Sequence, residues 1–208
     1  MDSLLLTIES LKNTDISKLI QDRLTQFSAV KKKGIAEIFK ELCFCIMTAN
    51  CGAEKCIEIH EKIGFDFLSL NEQSLIKKFK EYGYRFPNVR SNYIINARAY
   101  QNDILRQVSN TSDESELREW LVKNVKGLGY KEASHFARNI GYKNLAIIDF
   151  HIIDLLVKHN IIEKPKHLSK SKYLEIESIL KDLGNKLNLN LAELDLYLWY
   201  LETGRILK

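Results

Sequence analysis

Long hydrophobic runs and prolines are both scarce in this sequence of 208 residues, which contains only 2 prolines. No apolar run approaches the roughly 20 residues that a helix needs to cross a bilayer, so we expect no membrane-spanning segment. The first residues, Met1-Asp2-Ser3, lack the basic segment of a secretory signal peptide, which predicts a cytoplasmic protein. With 45% hydrophobic and 28% charged residues, the composition is typical of an ordered globular chain and excludes a disordered one.

Cysteine is also scarce, and it is confined to one stretch at Cys43, Cys45, Cys51 and Cys56. These spacings match neither the paired cysteines of a zinc site nor the cysteine run that binds an iron–sulfur cluster. We therefore predict no metal site here. The four thiols are interpreted as small buried hydrophobic groups in a reducing compartment.

The excess of positive charge is small, since 31 lysines and arginines against 27 acidic residues give a net charge of +4. Such a balance permits a polyanionic partner without identifying one. The length predicts one compact unit over residues 1–208, with enough apolar residues for a core that needs no disulfides.

Signals for β-strands are nearly absent as well. Only 146–148 (Ala-Ile-Ile) is β-like, and it is too short and isolated to build a sheet. The clearest periodic segment, 35–47, repeats apolar residues at helical spacing over four turns, which predicts a core-facing helix. We therefore predict an all-α fold, a bundle of about ten helical segments.

Several helix boundaries can be predicted from capping patterns. Ser69 and Glu72 have the spacing of a capping box, and Asn88 is predicted to cap a long helix. Asn190 is predicted to start the last helix, which Gly204 then ends.

The segment 125–131 (Val-Lys-Gly-Leu-Gly-Tyr-Lys) lies between two predicted helices and is interpreted as the turn of a helix-hairpin-helix. Gly127 and Gly129 allow positive φ angles and close approach of another molecule, and the N-terminus of the following helix suits a phosphate. Cations cluster around this turn: Lys123, Lys126, Lys131, Arg138 and Lys143. The alternative is that the glycines only separate two helices and the lysines are solvated.

This turn and the segment after it resemble the helix-hairpin-helix (HhH-GPD) DNA glycosylase superfamily. The motif Gly-Leu-Gly-Tyr-Lys131 is followed 18 positions later by Asp149. The resemblance implies that Lys131 is the nucleophile and that Asp149 is its charged partner. The alternatives are a solvated lysine and a helix N-cap. Segment 141–148 lacks proline, so its rigidity is expected from Gly141 and from packing of neighbouring apolar residues.

Four further features are Arg85-Phe86, the run 147–152, Trp199 and a chain that ends on lysine. By these the chain most resembles, within the superfamily, the compact archaeal-type 8-oxoguanine DNA glycosylase/AP lyases, from about residue 32 to 208. The resemblance implies two helical lobes, at 33–120 and at 1–32 plus 121–208, with the active site in the cleft between them.

It also implies further site residues. Arg85 and Phe86 are expected to contact DNA or the extruded base, and Asn50 to face the opposite strand, together with Gly127, Gly129 and Lys126 of the hairpin. Trp199 is expected to stack on the base, and Lys208, with its carboxylate, to recognise it. The alternatives are ordinary core positions for Phe86 and Trp199, a helix C-cap for Asn50 and a frayed terminus for Lys208.

The implied function is base flipping and excision of 8-oxoguanine from double-stranded DNA through a lysine Schiff base, with strand nicking, by a monomer that needs no cofactor or metal. Two alternatives stay open at this point. One is a glycosylase of the same fold for another damaged base, and the other is a non-catalytic module that uses the hairpin to bind DNA.

Overall fold

The computed structural model describes residues 1–111 and 113–208. Within them the chain is all-α, as predicted: it forms no strand, and no helix is long and apolar enough to span a membrane. Short 3₁₀ segments lie at Gly64–Leu68 and Arg98–Tyr100. The helices are α1 (Asp2–Lys12), α2 (Asp15–Lys32), α3 (Ile35–Thr48), α4 (Ala53–Ile63), α5 (Glu72–Glu81), α6 (Pro87–Ala97), α7 (Gln101–Asn110), α8 (Glu114–Asn124), α9 (Tyr130–Asn139), α10 (Phe150–Lys158), α11 (Lys170–Leu187) and α12 (Leu191–Thr203).

Helix α3 is the predicted core helix, and its position confirms that prediction. Its side chains from Leu42 through Thr48 are buried without interruption, so the helix is enclosed on all sides over its last two turns. It packs against α4, α6, α7 and α9. A helix with apolar residues around its whole circumference is stable only in such an interior position.

Two hydrophobic clusters organise the chain. The first runs from Ile38 to Ile140 and includes α3 to α9, whereas the second joins α1 and α2 to α10, α11 and α12. The division into lobes at residue 120 stays a prediction. Most apolar side chains of 121–140, which that division assigns to the second lobe, pack in the first cluster, whereas Tyr130 packs against the second.

The last helix has the predicted boundaries. The Asn190 side chain accepts a hydrogen bond from the Glu193 amide at 3.0 Å, the Glu193 carboxylate accepts one from the Asn190 amide at 3.0 Å, and Gly204 ends α12 with φ +71°. This is a reciprocal capping box followed by a left-handed glycine cap.

Two other boundaries were predicted wrongly. Helix α5 is capped by Asn71, which accepts from the Ser74 amide at 2.9 Å, because Ser69 still belongs to the turn after a 3₁₀ segment. Helix α6 begins one residue before Asn88, at Pro87, whose missing N–H costs nothing in a first helical position. The expected long helix is two helices separated by a 3₁₀ segment.

The cysteines behave as the sequence indicated. Cys43, Cys45 and Cys56 are buried and Cys51 is half-buried, all as free thiols. Burial raises the pKa values of Cys43, Cys45 and Cys56, so these groups stay protonated and pack as small apolar side chains.

Candidate active site

The hairpin turn joins α8 to α9 and rests on helix α6. Gly127 has φ +94°, and a Cβ placed there would clash with the Tyr93 ring, 2.9 Å from its Cγ, so both the backbone conformation and the available space require glycine. Gly129, however, is extended with φ −91°, so the expected positive φ is found at only one of the two glycines. Gly129 instead caps α9, and its amide donates to the Glu132 carboxylate at 3.1 Å.

The cations around the turn differ in exposure, and Lys131 is intermediate between the exposed and the buried ones. Lys123, Lys126 and Lys143 are exposed, as a phosphate-binding surface requires. Arg138 is buried instead, with 6% of its surface exposed, and forms an ion pair with Asp195. The expectation that Arg138 contributes to the exposed cationic surface is therefore wrong, because its guanidinium points between helices and not to solvent.

A cleft of about 580 Å³ is lined by residues from several separate parts of the chain. One wall comes from the α3–α4 connection and another from α9. The remaining walls come from the start of α10, from α12 and from the end of the chain. The sequence-predicted residues that line this cleft are Asn50, Arg85, Lys131, Asp149, Trp199 and Lys208. The fold thus brings together side chains that are separated by up to about 160 positions in the sequence.

Lys131 lies in the first turn of α9 with its side chain 21% exposed, and its Nζ is 3.9 Å from Oε1 of Glu132. His135 and Arg138 follow it on the same helical face and also line the cleft. The amine is therefore partly enclosed, has one loosely placed carboxylate partner and is accessible from the cleft.

Asp149 is the N-cap of α10, and its Oδ1 accepts a hydrogen bond from the Ile152 amide at 3.0 Å. Its carboxylate therefore both caps a helix and lines the cleft, so the two interpretations of this residue are compatible. Segment 141–148, which precedes Asp149, was expected to owe its rigidity partly to Gly141. This glycine has φ +100°, and a Cβ there would lie 2.9 Å from Ser28 Cα. In addition, Glu114 accepts from the amides of Lys143 and Asn144 at 3.1 and 2.6 Å.

The Arg138–Asp195 pair is a feature that sequence reasoning missed. Asp195 interrupts an otherwise apolar stretch of α12, which is a weak signal for a buried polar contact. Burial raises the pKa of Asp195 and the charge of Asp149 raises it further, while Arg138 opposes the shift. Arg138 also donates to the Asn139 side chain at 2.9 and 3.0 Å.

The side chain of Lys208, which lines the cleft, is anchored by residues of α3 and α4. Its Nζ donates to Glu41 Oε2 at 2.8 Å and to His60 Nδ1 at 3.2 Å, and it lies 4.3 Å from the centroid of Phe44. Burial and then the positive charge of Lys208 lower the pKa of His60 to about 3. Neutral His60 therefore carries its proton on Nε2, which donates to the Lys40 carbonyl at 3.1 Å.

Three aromatic residues form a row along the cleft. Phe150 is 65% exposed and its ring centroid lies 3.9 Å from that of His151, which in turn meets Trp199 edge-on at 5.0 Å. The Trp199 Nε1 is buried and has no hydrogen-bond partner within the described part of the chain. A buried indole donor without a partner is unusual, and here it belongs to a residue that lines the cleft.

The other predicted DNA contacts lie near the mouth of the cleft or outside it. Arg85 is exposed, donates to the Asn50 carbonyl at 3.3 Å and covers the ring of Phe86 at 4.9 Å. Asn50 is exposed with φ +58°, one residue beyond the Ala49 C-cap of α3. Phe86 is half-buried against the first cluster and is not among the residues that line the cleft.

Comparison with known proteins gives consistent results. A family model described as 8-oxoguanine DNA glycosylase matches residues 20–189. The 8-oxoguanine DNA glycosylase/AP lyase of Methanocaldococcus jannaschii is 52% identical over 97% of each chain. That of Korarchaeum cryptofilum is 48% identical over 100% of this chain and 99% of the relative.

Solved structures agree with this similarity. The crystal structure of the Methanocaldococcus jannaschii 8-oxoguanine glycosylase/lyase in complex with 15mer DNA containing 8-oxoguanine has a TM-score of 0.96 at 51% identity, covering 99% of this chain and 100% of that chain. The 8-oxoguanine DNA glycosylase of Thermotoga maritima has a TM-score of 0.94 at 37% identity, covering 100% and 99%.

Proposed function

Because the chain belongs to the 8-oxoguanine DNA glycosylase family, we propose that Lys131 and Asp149 carry out its chemistry. The protein is an 8-oxoguanine DNA glycosylase/AP lyase that acts on DNA containing 8-oxoguanine. The alternatives of another lesion or a non-catalytic DNA-binding module are set aside on the same similarity. The observation that carries the residue assignment is that an accessible lysine at the hairpin and a rigidly capped carboxylate line one cleft.

The reaction begins when the damaged nucleotide leaves the duplex and enters the cleft. The Lys131 amine attacks C1′ of the deoxyribose, and the base leaves with the electron pair of the glycosidic bond. The Asp149 carboxylate stabilises the positive charge that develops on the sugar and accepts a proton from the lysine. The sugar ring then opens to a Schiff base, and loss of a proton from C2′ eliminates the 3′ phosphate and nicks the strand.

DNA binding is assigned to the hairpin and to the surface beside it. Because Gly127 has no side chain, the turn packs closely on Tyr93. Lys123 and Lys126 are exposed just before it, so DNA phosphates would contact both main-chain groups and positive charge. Arg85, at the mouth of the cleft, is placed to contact the strand that enters it.

Base recognition is assigned to Trp199 and to the end of the chain. Trp199 lines the cleft, and its indole offers a stacking surface for the base. The ammonium of Lys208 is occupied by Glu41 and His60, so the side chain acts as an anchor and main-chain oxygens near it can face the cleft. An acceptor there would pair with the N7–H that 8-oxoguanine has and guanine lacks.

The decisive experiment is covalent trapping. Wild-type protein incubated with an 8-oxoguanine duplex and sodium borohydride should form a stable adduct, because reduction fixes the Schiff base. Lys131→Gln should form none and still bind the lesion, since it removes one charge among several. The matched control is Lys126→Gln, which removes an exposed lysine from the same turn and should trap normally while binding DNA more weakly. An adduct on Lys131→Gln would show that another amine is the nucleophile.

A further inference from the structure

The segment that delivers Asp149 has no regular secondary structure, yet its main-chain groups are engaged by side chains of α11. Glu177 Oε2 accepts from the Ala146 amide at 2.8 Å. The Tyr173 hydroxyl donates to the Ala146 carbonyl at 2.7 Å and accepts from the Ile148 amide at 3.3 Å. Buried main-chain groups need such partners, and here α11 supplies what a neighbouring strand would supply in a sheet.

The two α11 side chains are themselves held by a buried arginine. Arg118 of α8 is 2% exposed and makes two hydrogen bonds to Glu177, at 2.5 and 2.8 Å. Its guanidinium carbon lies 5.0 Å from the centroid of Tyr130 and 5.7 Å from that of Tyr173. Paired, planar contacts of this kind have a strong directional preference, so the arginine fixes both α11 side chains.

The same cluster reaches the helix that carries Lys131. Ser134 lies one turn after Lys131 on α9, and its hydroxyl is 3.3 Å from Arg118 Nη1 and 3.4 Å from the Tyr173 hydroxyl. Tyr130, directly before Lys131, covers the arginine. One hydrogen-bonded cluster therefore contacts both the segment before Asp149 and the helix of Lys131.

We propose that Tyr173, held by the Arg118–Glu177 pair, is a positioning residue that sets the Asp149 carboxylate against Lys131 during base excision. Tyr173, Glu177 and Arg118 are not among the residues that line the cleft, so they act through the segment that they hold. The inference rests on the proposed role of Asp149. A misplacement of a reacting group by about 1 Å can cost about a hundredfold in rate, which is why the support of this segment matters.

The test is Tyr173→Phe, which keeps the ring and its contact with Arg118 and removes only the hydroxyl. Single-turnover excision of 8-oxoguanine should fall roughly ten- to a hundredfold, with affinity for the lesion duplex within about twofold of wild type. Tyr84→Phe is the matched control, because that buried hydroxyl also donates to a main-chain carbonyl, of Met47 at 2.7 Å. The Tyr84→Phe variant should lose about as much thermal stability as Tyr173→Phe, but it should excise 8-oxoguanine at the wild-type rate.

A double-mutant cycle separates positioning from general support of the fold. If Tyr173 acts through Asp149, then Tyr173→Phe should cause little further loss in an Asp149→Asn background. A full additional loss there would overturn the inference, and so would a wild-type rate for Tyr173→Phe alone. If Asp149→Asn itself excises at the wild-type rate, the proposed role of Asp149 fails, which is a distinct outcome.

Discussion

Replacement of Gly127 by alanine tests the hairpin most directly. At φ +94° an L-residue is strained by about 1–2 kcal/mol. The new Cβ would also clash with the Tyr93 ring, 2.9 Å from its Cγ, and overpacking of that kind costs about 1–3 kcal/mol. We therefore expect Gly127→Ala to lower the free energy of unfolding by about 2–5 kcal/mol, a fall in melting temperature of roughly 4–20 °C for a chain of this size.

Gly129→Ala is the matched control, because it makes the same chemical change two residues away. Gly129 is extended, and its added Cβ would meet only the end of the flexible Glu132 side chain, at 3.0 Å. The free energy of unfolding of the Gly129→Ala variant should stay within about 1 kcal/mol of wild type. In a Tyr93→Ala background Gly127→Ala should cost less, about 1–2 kcal/mol, since only the backbone strain remains.

Urea unfolding measures these free energies, and fluorescence anisotropy with an undamaged duplex measures the effect on DNA binding. Gly127→Ala should bind more weakly than Gly129→Ala if the displaced turn is the phosphate-binding surface. Equal stability losses for the two alanine variants, or an unaffected Gly127→Ala, would refute the argument from φ and space.

Two further predictions concern His60, which contacts Lys208, and Trp199, which lines the cleft. Because the pKa of buried His60 is about 3 and that of an unfolded histidine about 6.5, the unfolded state takes up the proton first, and stability is lost as pH falls below 6.5. His60→Gln should flatten the pH dependence of urea unfolding by about 1.4 kcal/mol per pH unit between about pH 4 and 5.5, whereas the exposed His167→Gln should leave it unchanged. Trp199→Leu should reduce 8-oxoguanine excision, measured as kcat/KM, by the equivalent of about 1–3 kcal/mol if its indole stacks on the base. The control Trp120→Leu should lower the free energy of unfolding but leave excision unchanged. Equal excision by the two tryptophan variants would exclude the stacking role of Trp199.

Local sequence determined several of the helices and indicated the family. Apolar spacing in 35–47 indicates α3, and Asn190 with Gly204 bounds α12, because periodicity and capping depend on residues within about one helical turn. The motif that ends at Lys131, with Asp149 downstream, was enough to indicate a glycosylase. Where local signals competed, as at Ser69 and Asn71, the capping prediction was wrong.

Only the tertiary structure decided which partners these residues meet. Arg138 belongs to the basic hairpin by sequence, but its side chain pairs with Asp195 of α12, which lies 57 positions later. Lys208 is anchored by Glu41, which lies 167 positions earlier in the chain. The support of the segment before Asp149 comes from Tyr173 on another helix. Such contacts depend on how helices pack across the core, and a pattern within one segment does not specify that arrangement.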